Sequence, residues 1–241
     1  MKNEKIKETI DPKLSHTKES PEIQERNIIN YIKDNLYYFI GGLAVVIVAV
    51  FLIIFTTGSS DKKEKQASLY LSRLYTYIDT QEYKTALDGD KSKTMRGEQI
   101  YGLTYIVNNY KGTKSGKLAA VFAGNCYLKM NQPQKAIEYF EISLKSDDPN
   151  VLEGANAGLG CAYEMNKQME KAAEHYSKAS EYAIDDENKA RYLLFSAICL
   201  EQLKKIDLAK EDYTKVINLS PNSEYSDIAK ANLSRLGIVI D

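Results

Sequence analysis

Tryptophan is absent from this 241-residue chain, proline occurs five times, histidine twice and cysteine three times. Each shortage closes a class of function. Two histidines, His16 and His175, and three cysteines with no CxxC pair supply neither a zinc nor a haem ligand set. An odd cysteine count also argues against a disulfide framework, so Cys126, Cys161 and Cys199 read as small packed residues. Excess charge of either sign is missing: 32 Lys and Arg face 33 Asp and Glu, a net charge of −1. No Lys/Arg cluster with interleaved aromatics stands out, so a nucleic acid partner is excluded. Nucleophile elbows, P-loops, HExxH helices and dinucleotide fingerprints are absent too. Gly154-Ala-Asn-Ala-Gly-Leu-Gly is glycine-rich, but no strand precedes it and its glycines suit close helix contact. Glu138 and Glu141 read as a solvated helix face, and His175 as a packing or surface residue. We assign no catalytic residue, cofactor, metal ligand or small-molecule substrate, and expect no enzyme.

One further absence is local. From Asn35 to Ser60 there is no Asp, Glu, Lys or Arg. Leu36 to Phe55 reads LYYFIGGLAVVIVAVFLIIF. A helix of about 20 apolar residues covers the roughly 30 Å hydrocarbon core of a bilayer. We therefore expect a single transmembrane span over 36–55, uncleaved and binding the lipid bilayer. Tyr37 and Tyr38 would lie in the interfacial aromatic belt. Before it, residues 1–20 form a polar tail of mixed charge that cannot bury enough surface to fold. Ser20-Pro21-Glu22 carries the marks of a helix start, so 21–57 is expected to run as a helix into the span. Gly41-Gly42 lacks the GxxxG spacing of a packed span pair.

After the span, apolar residues recur at helical spacing. Ala67, Leu71, Leu74 and Ile78 form one stripe, and Ile100, Leu103, Val107 and Tyr110 another. No segment alternates steadily, so no sheet is expected. A longer period then emerges. Gly124 and Ala136, Gly160 and Ala172, and Ala197 and Ala209 are each 12 residues apart, and the pairs recur after 36 and 37 residues. An aromatic follows each pair: Phe140, Tyr176 and Tyr213. A small residue lets two antiparallel helices approach, and the aromatic fills the space beside it. Most of the 18 tyrosines, Tyr127, Tyr139 and Tyr163 among them, suit such packing. One such pair cannot bury its apolar face, whereas stacked pairs bury a continuous core.

These residues resemble the tetratricopeptide repeat, most closely in KLAAVFAGNCYLKMNQPQKAIEYFEISLKSDDPN from Lys117 to Asn150. Ala120, Asn156 and Leu193 stand where many such repeats carry tryptophan. The fold class expected is all-α: one transmembrane helix, then a right-handed α-solenoid of helix hairpins. A long helix and degenerate first repeat would occupy 61–112, repeats 117–150, 153–186 and 190–222, and a capping helix 223–237 with Gly237 as its stop.

The order of tail, span, long helix and repeats is similar to the ancillary SecYEG translocon subunit family (YfgM-like proteins). The likeness covers nearly the whole chain. It is carried by the span followed by KQASLYLSRLYTYIDTQEYKTALDGD and by NNYKGTKSGKLAAVFAGNCYL. It implies a single-pass protein of the bacterial inner membrane, N-terminus cytoplasmic and repeats periplasmic. It also implies translocon, chaperone or secreted client proteins as partners. The first helix of each pair would line a concave groove. Helical phase places there Val121, Asn125, Leu128, Lys129, Ala157, Cys161, Glu164, Met165, Leu194, Ile198, Glu201 and Gln202. This mixture lacks strong charge and suits an extended or partly folded polypeptide. Two other readings stay open: a structural scaffold of an envelope complex, and a cytoplasm-facing adaptor of reversed topology. Lys62, Lys63 and Lys65 after the span, and three free thiols, fit the second.

Overall fold

In the computed structural model, residues 30–31 and 33–238 are described, without the side chains of 39 and 52–59. The expected tail over 1–20 and the helix start at Ser20 lie outside the described residues. Contacts divide the chain into two units, residues 1–57 and 58–241. The first long helix, α1 (Leu36–Ser72), contains the uncharged stretch. Among the described residues no helix is long and apolar enough to cross a membrane. In the first unit Ile40, Leu43, Val45, Val46, Ile47 and Val48 are exposed.

In the second unit α1 ends where its apolar stripe meets a core. Ala67, Tyr70 and Leu71 are buried, and Leu74 follows in the turn. The side chains of Glu64 and Ser115 tie α1 to the repeats: the Glu64 carboxylate accepts from Ser115 N at 3.1 Å and from its hydroxyl at 2.5 Å. Two short helices come next, α2 (Tyr75–Asp79) and α3 (Tyr83–Asp88).

A hairpin then interrupts the helices, where no sheet was expected. Strands β1 (Gly89–Met95) and β2 (Glu98–Tyr101) pair antiparallel, Met95 opposite Glu98 and Gly89 opposite Tyr101. Its cause lies in two glycines. At Gly89 φ is +87°, and a Cβ there would lie 2.4 Å from the Ile100 carbonyl oxygen. Arg96 and Gly97 both have positive φ, 55° and 79°, as a two-residue type I′ turn requires. The register shifts between Asp90 and Thr94. Most of the hairpin is exposed; Ile100, expected on a helical stripe, anchors it instead from β2.

The remaining helices are α4 (Leu103–Tyr110), α5 (Lys114–Lys129), α6 (Pro133–Ser143), α7 (Pro149–Met165), α8 (Met169–Tyr182), α9 (Asp186–Gln202), α10 (Ile206–Leu219) and α11 (Glu224–Arg235). From α4 onward each packs against the next, and α5 also touches α7 and α9 touches α11. That is the contact pattern of stacked hairpins.

The local chemistry repeats with the hairpins. Thr113, Asp148, Asp185 and Ser223 cap α5, α7, α9 and α11, each side chain accepting from a backbone N–H of the first turn. Each hairpin turn holds one left-handed residue: Asn131 (φ 57°), Lys167 (62°) and Lys204 (61°). Around Lys167, its N–H donates to the Glu164 carbonyl and that of Gln168 to Tyr163, a Schellman ending. Gln81 (φ 61°) closes α2 the same way, so 75–88 repeats the hairpin turn in short form.

The aromatics fill the crossings. Phe140 is fully buried between Gly124 and Gly158; Cβ atoms there would lie 2.6 and 2.2 Å from its ring. Gly160 faces Tyr176 in the same way, at 2.5 Å. Glycine at these points is therefore a space requirement of the neighbouring ring.

Candidate functional site: the first-helix face of the repeats

The first helices of the hairpins, α5, α7 and α9, end in a shared pattern. Leu128 and Phe140, Glu164 and Tyr176, and Glu201 and Tyr213 are each 12 residues apart in sequence. In the last two pairs the phenol donates to the carboxylate, Tyr176 to Glu164 at 2.8 Å and Tyr213 to Glu201 at 2.9 Å. In the first pair both members are apolar. Glu201 also holds Arg235 of the closing helix at 2.5 Å. Burial and the adjacent carboxylate push both phenols well above the usual tyrosine range. They are donors that fix the two glutamates.

Ten of the twelve residues expected on the groove keep some exposure and two do not. Asn125, Lys129, Met165 and Gln202 are exposed. Leu128, Ala157, Cys161, Glu164, Ile198 and Glu201 are half-buried. Val121 and Leu194 are corrections. Val121 is buried against Val151 and Ala155 of the next hairpin, and Leu194 lies in the core around Tyr213. Helical phase put them on the open side; helices later in the stack cover them.

The structure gathers four of the expected residues into one cleft. Cys161, Glu164 and Met165 from α7 and Gln202 from α9 line it, with Lys167 from the α7–α8 turn and Met169 at the start of α8, and its volume is about 520 Å³. Lys167 and Met169 were missed because they enter from the turn and from the first residue of the second helix, not from a first-helix face. Burial, and then the Glu164 charge, push the Cys161 thiol above its ordinary range; Lys129 opposes this. Cys126 and Cys199 are buried, with thiols pushed up to about 11 and about 12 by burial. All three are poor nucleophiles in these surroundings.

A second cleft of about 330 Å³ lies over α8 and α10, lined by Glu170, Glu174, Leu208, Asp212 and Lys215 among others. Asp212 accepts a hydrogen bond from Ser196 at 2.9 Å, and burial raises its carboxyl above the ordinary value. His175 packs and does not line either cleft. Its Nδ1 is 3.0 Å from Asn156 Oδ1, its ring stacks on Tyr163, and burial lowers its pKa. Among the described residues no group of three or more His, Cys, Asp or Glu is placed to hold a metal ion.

The hairpin stack, the left-handed turns and the glycine–aromatic crossings agree with a comparison against family profiles. The tetratricopeptide repeat matches residues 119–150 and 190–223. The chain contains tetratricopeptide repeats. Between the two matched segments α7 and α8 form a hairpin with the same capping, turn and aromatic crossing. A search of curated proteins found no match. Tetratricopeptide repeats stack into extended binding surfaces, so this region is of a kind that binds other proteins.

Proposed function

We propose that this chain is a membrane-anchored, non-enzymatic protein-binding module whose first-helix face receives extended or partly folded polypeptide. The observation that carries the reading is the cleft between α7 and α9, a depression of about 520 Å³ with apolar, amide and charged lining. A methionine-bearing, weakly charged surface adapts to many sequences. Polar contacts come from Gln202 and, further along, Asn125.

The anchor is residues 36–55. Its support is the run of six apolar side chains from Ile40 to Val48 that are 57–69% exposed. Contiguous exposed apolar surface of this kind belongs to a membrane or an interface. In this reading the N-terminus is cytoplasmic and the repeats are periplasmic at a bacterial inner membrane, beside the translocon, chaperones or secreted clients. A photo-crosslinker placed at Leu128 or Ile198 in intact cells tests it. Adducts to translocon, chaperone or secreted chains are expected; adducts to none of them contradict it. Protease added to spheroplasts tests the orientation: the repeats should be cut, and protected repeats would establish the reversed, adaptor topology.

The scaffold reading draws on the second cleft, beside which Leu208 is 50% exposed. It expects one stoichiometric partner bound to α8 and α10. Mild detergent pull-down separates it from the client-binding reading, which expects several substoichiometric partners.

A further inference from the structure

The cleft between α7 and α9 has a chemical character that polypeptide binding does not require. Three of its six lining side chains carry sulfur: Cys161, Met165 and Met169. The whole chain has five methionines and three cysteines, so three of its eight sulfur side chains line this one cleft. Their shared place in the lining follows from the backbone. Cys161 and Met165 are four residues apart on α7 and so share one helix face. Met169 opens α8 after a turn reversed at left-handed Lys167. Cys161 and Met169 are half-buried and Met165 is 38% exposed, so an ion can reach all three from solvent.

The local charge is mixed, so the donor chemistry and not the charge selects the ion. Glu164 lines the cleft; its Oε2 accepts the Tyr176 phenol. The cleft also lies at the C-terminal end of α7, the negative pole of its dipole. Lys167 in the lining and Lys129 near the thiol oppose these. A divalent ion prefers more anionic or imidazole donors than the cleft offers. Thiolate and thioether donors are soft and select Cu(I), whereas Mg²⁺ and Ca²⁺ require oxygen.

We propose that Cys161, Met165 and Met169 form a Cu(I) site in this cleft. The function goes beyond protein binding, although the two share the cleft. On binding, the Cys161 S–H bond breaks, a Cu–S bond forms and the proton passes to solvent. The two thioether sulfurs donate lone pairs, and no electron changes hands.

The full-length chain in detergent micelles, titrated anaerobically with Cu(I) in ascorbate against bicinchoninate, tests the site. One Cu(I) per chain should be withdrawn from the competitor, and X-ray absorption should show sulfur as its neighbours. Cys161→Ser should weaken retention by about 100-fold, and Met165→Leu or Met169→Leu by about 10-fold each. Cys126→Ser, altering a thiol in a different core cluster, should leave it unchanged. No copper held against the competitor would overturn the site, as would equal retention by the triple variant. Should Cys161→Ser fail to fold, the Met165→Leu/Met169→Leu double variant decides alone, and unchanged retention overturns the proposal. Crosslinking from Ile198 is independent of copper, so the two readings can fail separately.

Discussion

At the residue scale, the left-handed turn residues and His175 each carry a consequence. Lys167 and Lys204 have φ near 60°, where a side chain costs about 1–2 kcal/mol relative to glycine. Both turns already make their Schellman hydrogen bonds, so glycine would keep the geometry and remove that cost. Lys204→Gly should therefore stabilise the chain by about 1 kcal/mol in urea denaturation, less whatever the freer unfolded chain regains. Asn131→Gly should gain less, because asparagine tolerates this region. His175 sets a pH dependence. Burial holds its folded pKa below the ordinary 6.5, with Lys178 and Lys171 acting in the same direction and Glu174 against. Below about pH 6.5 the unfolded chain gains a proton that the folded chain resists, so stability falls as pH drops through that range. Denaturation at pH 5 and 8 should show this loss, and His175→Gln should reduce it.

At the element scale, the repeats depend on rings seated against glycines. Gly→Ala in a helix ordinarily stabilises by about 0.5–1 kcal/mol. At Gly158 the added methyl would lie 2.2 Å from the Phe140 ring. Gly158→Ala should thus cost about 1–3 kcal/mol, with the sign reversed from the usual one, as overpacking requires. Gly154→Ala is the comparison: its Cβ meets only Val121 Cγ1, at 3.2 Å, and should be close to neutral. Phe140→Leu should rescue Gly158→Ala in a double-mutant cycle, measured by thermal unfolding. These small residues and aromatics were the part of the fold legible in the sequence, because 12-residue spacing at a 36- to 37-residue period leaves few alternatives. The hairpin at 89–101 was not legible. Its strands are polar and solvent-facing, so no alternation marks them, and Arg96-Gly97 is a turn signal only once the strands are known. Of the groove, the exposed and half-buried positions were legible from helical phase. Val121 and Leu194 were not, because phase says which way a residue points but not which later helix covers it.

At the scale of the whole molecule, the stack must end as well as begin. Helix α11 lays Ala229 and Leu233 on the core formed by Ala209, Tyr213 and Val216. Arg235 and Asn232 reach Glu201 and the Tyr213 hydroxyl, so the last first-helix and last second-helix residues are both held by the cap. A chain ending at Ser220 would expose that core. The loss of about 3–5 kcal/mol of burial should lower the melting temperature by about 10 °C. Differential scanning calorimetry checks this, and an unchanged melting temperature would mean that α11 is an appendage. The cap thus engages one residue of the first-helix face, Glu201, while Asn125, Lys129, Met165 and Gln202 of that face stay exposed. Recognition of extended chain by that face is the core of the functional account. The most direct measurement is the affinity of the full chain, in detergent micelles, for a fluorescent, permanently unfolded polypeptide, followed by anisotropy. Asn125→Arg with Gln202→Arg should weaken binding by about tenfold or more by crowding the face, while Lys178→Glu on α8 should leave it unchanged. Equal affinity in all three proteins, or a loss confined to Lys178→Glu, would contradict the assignment of the first-helix face.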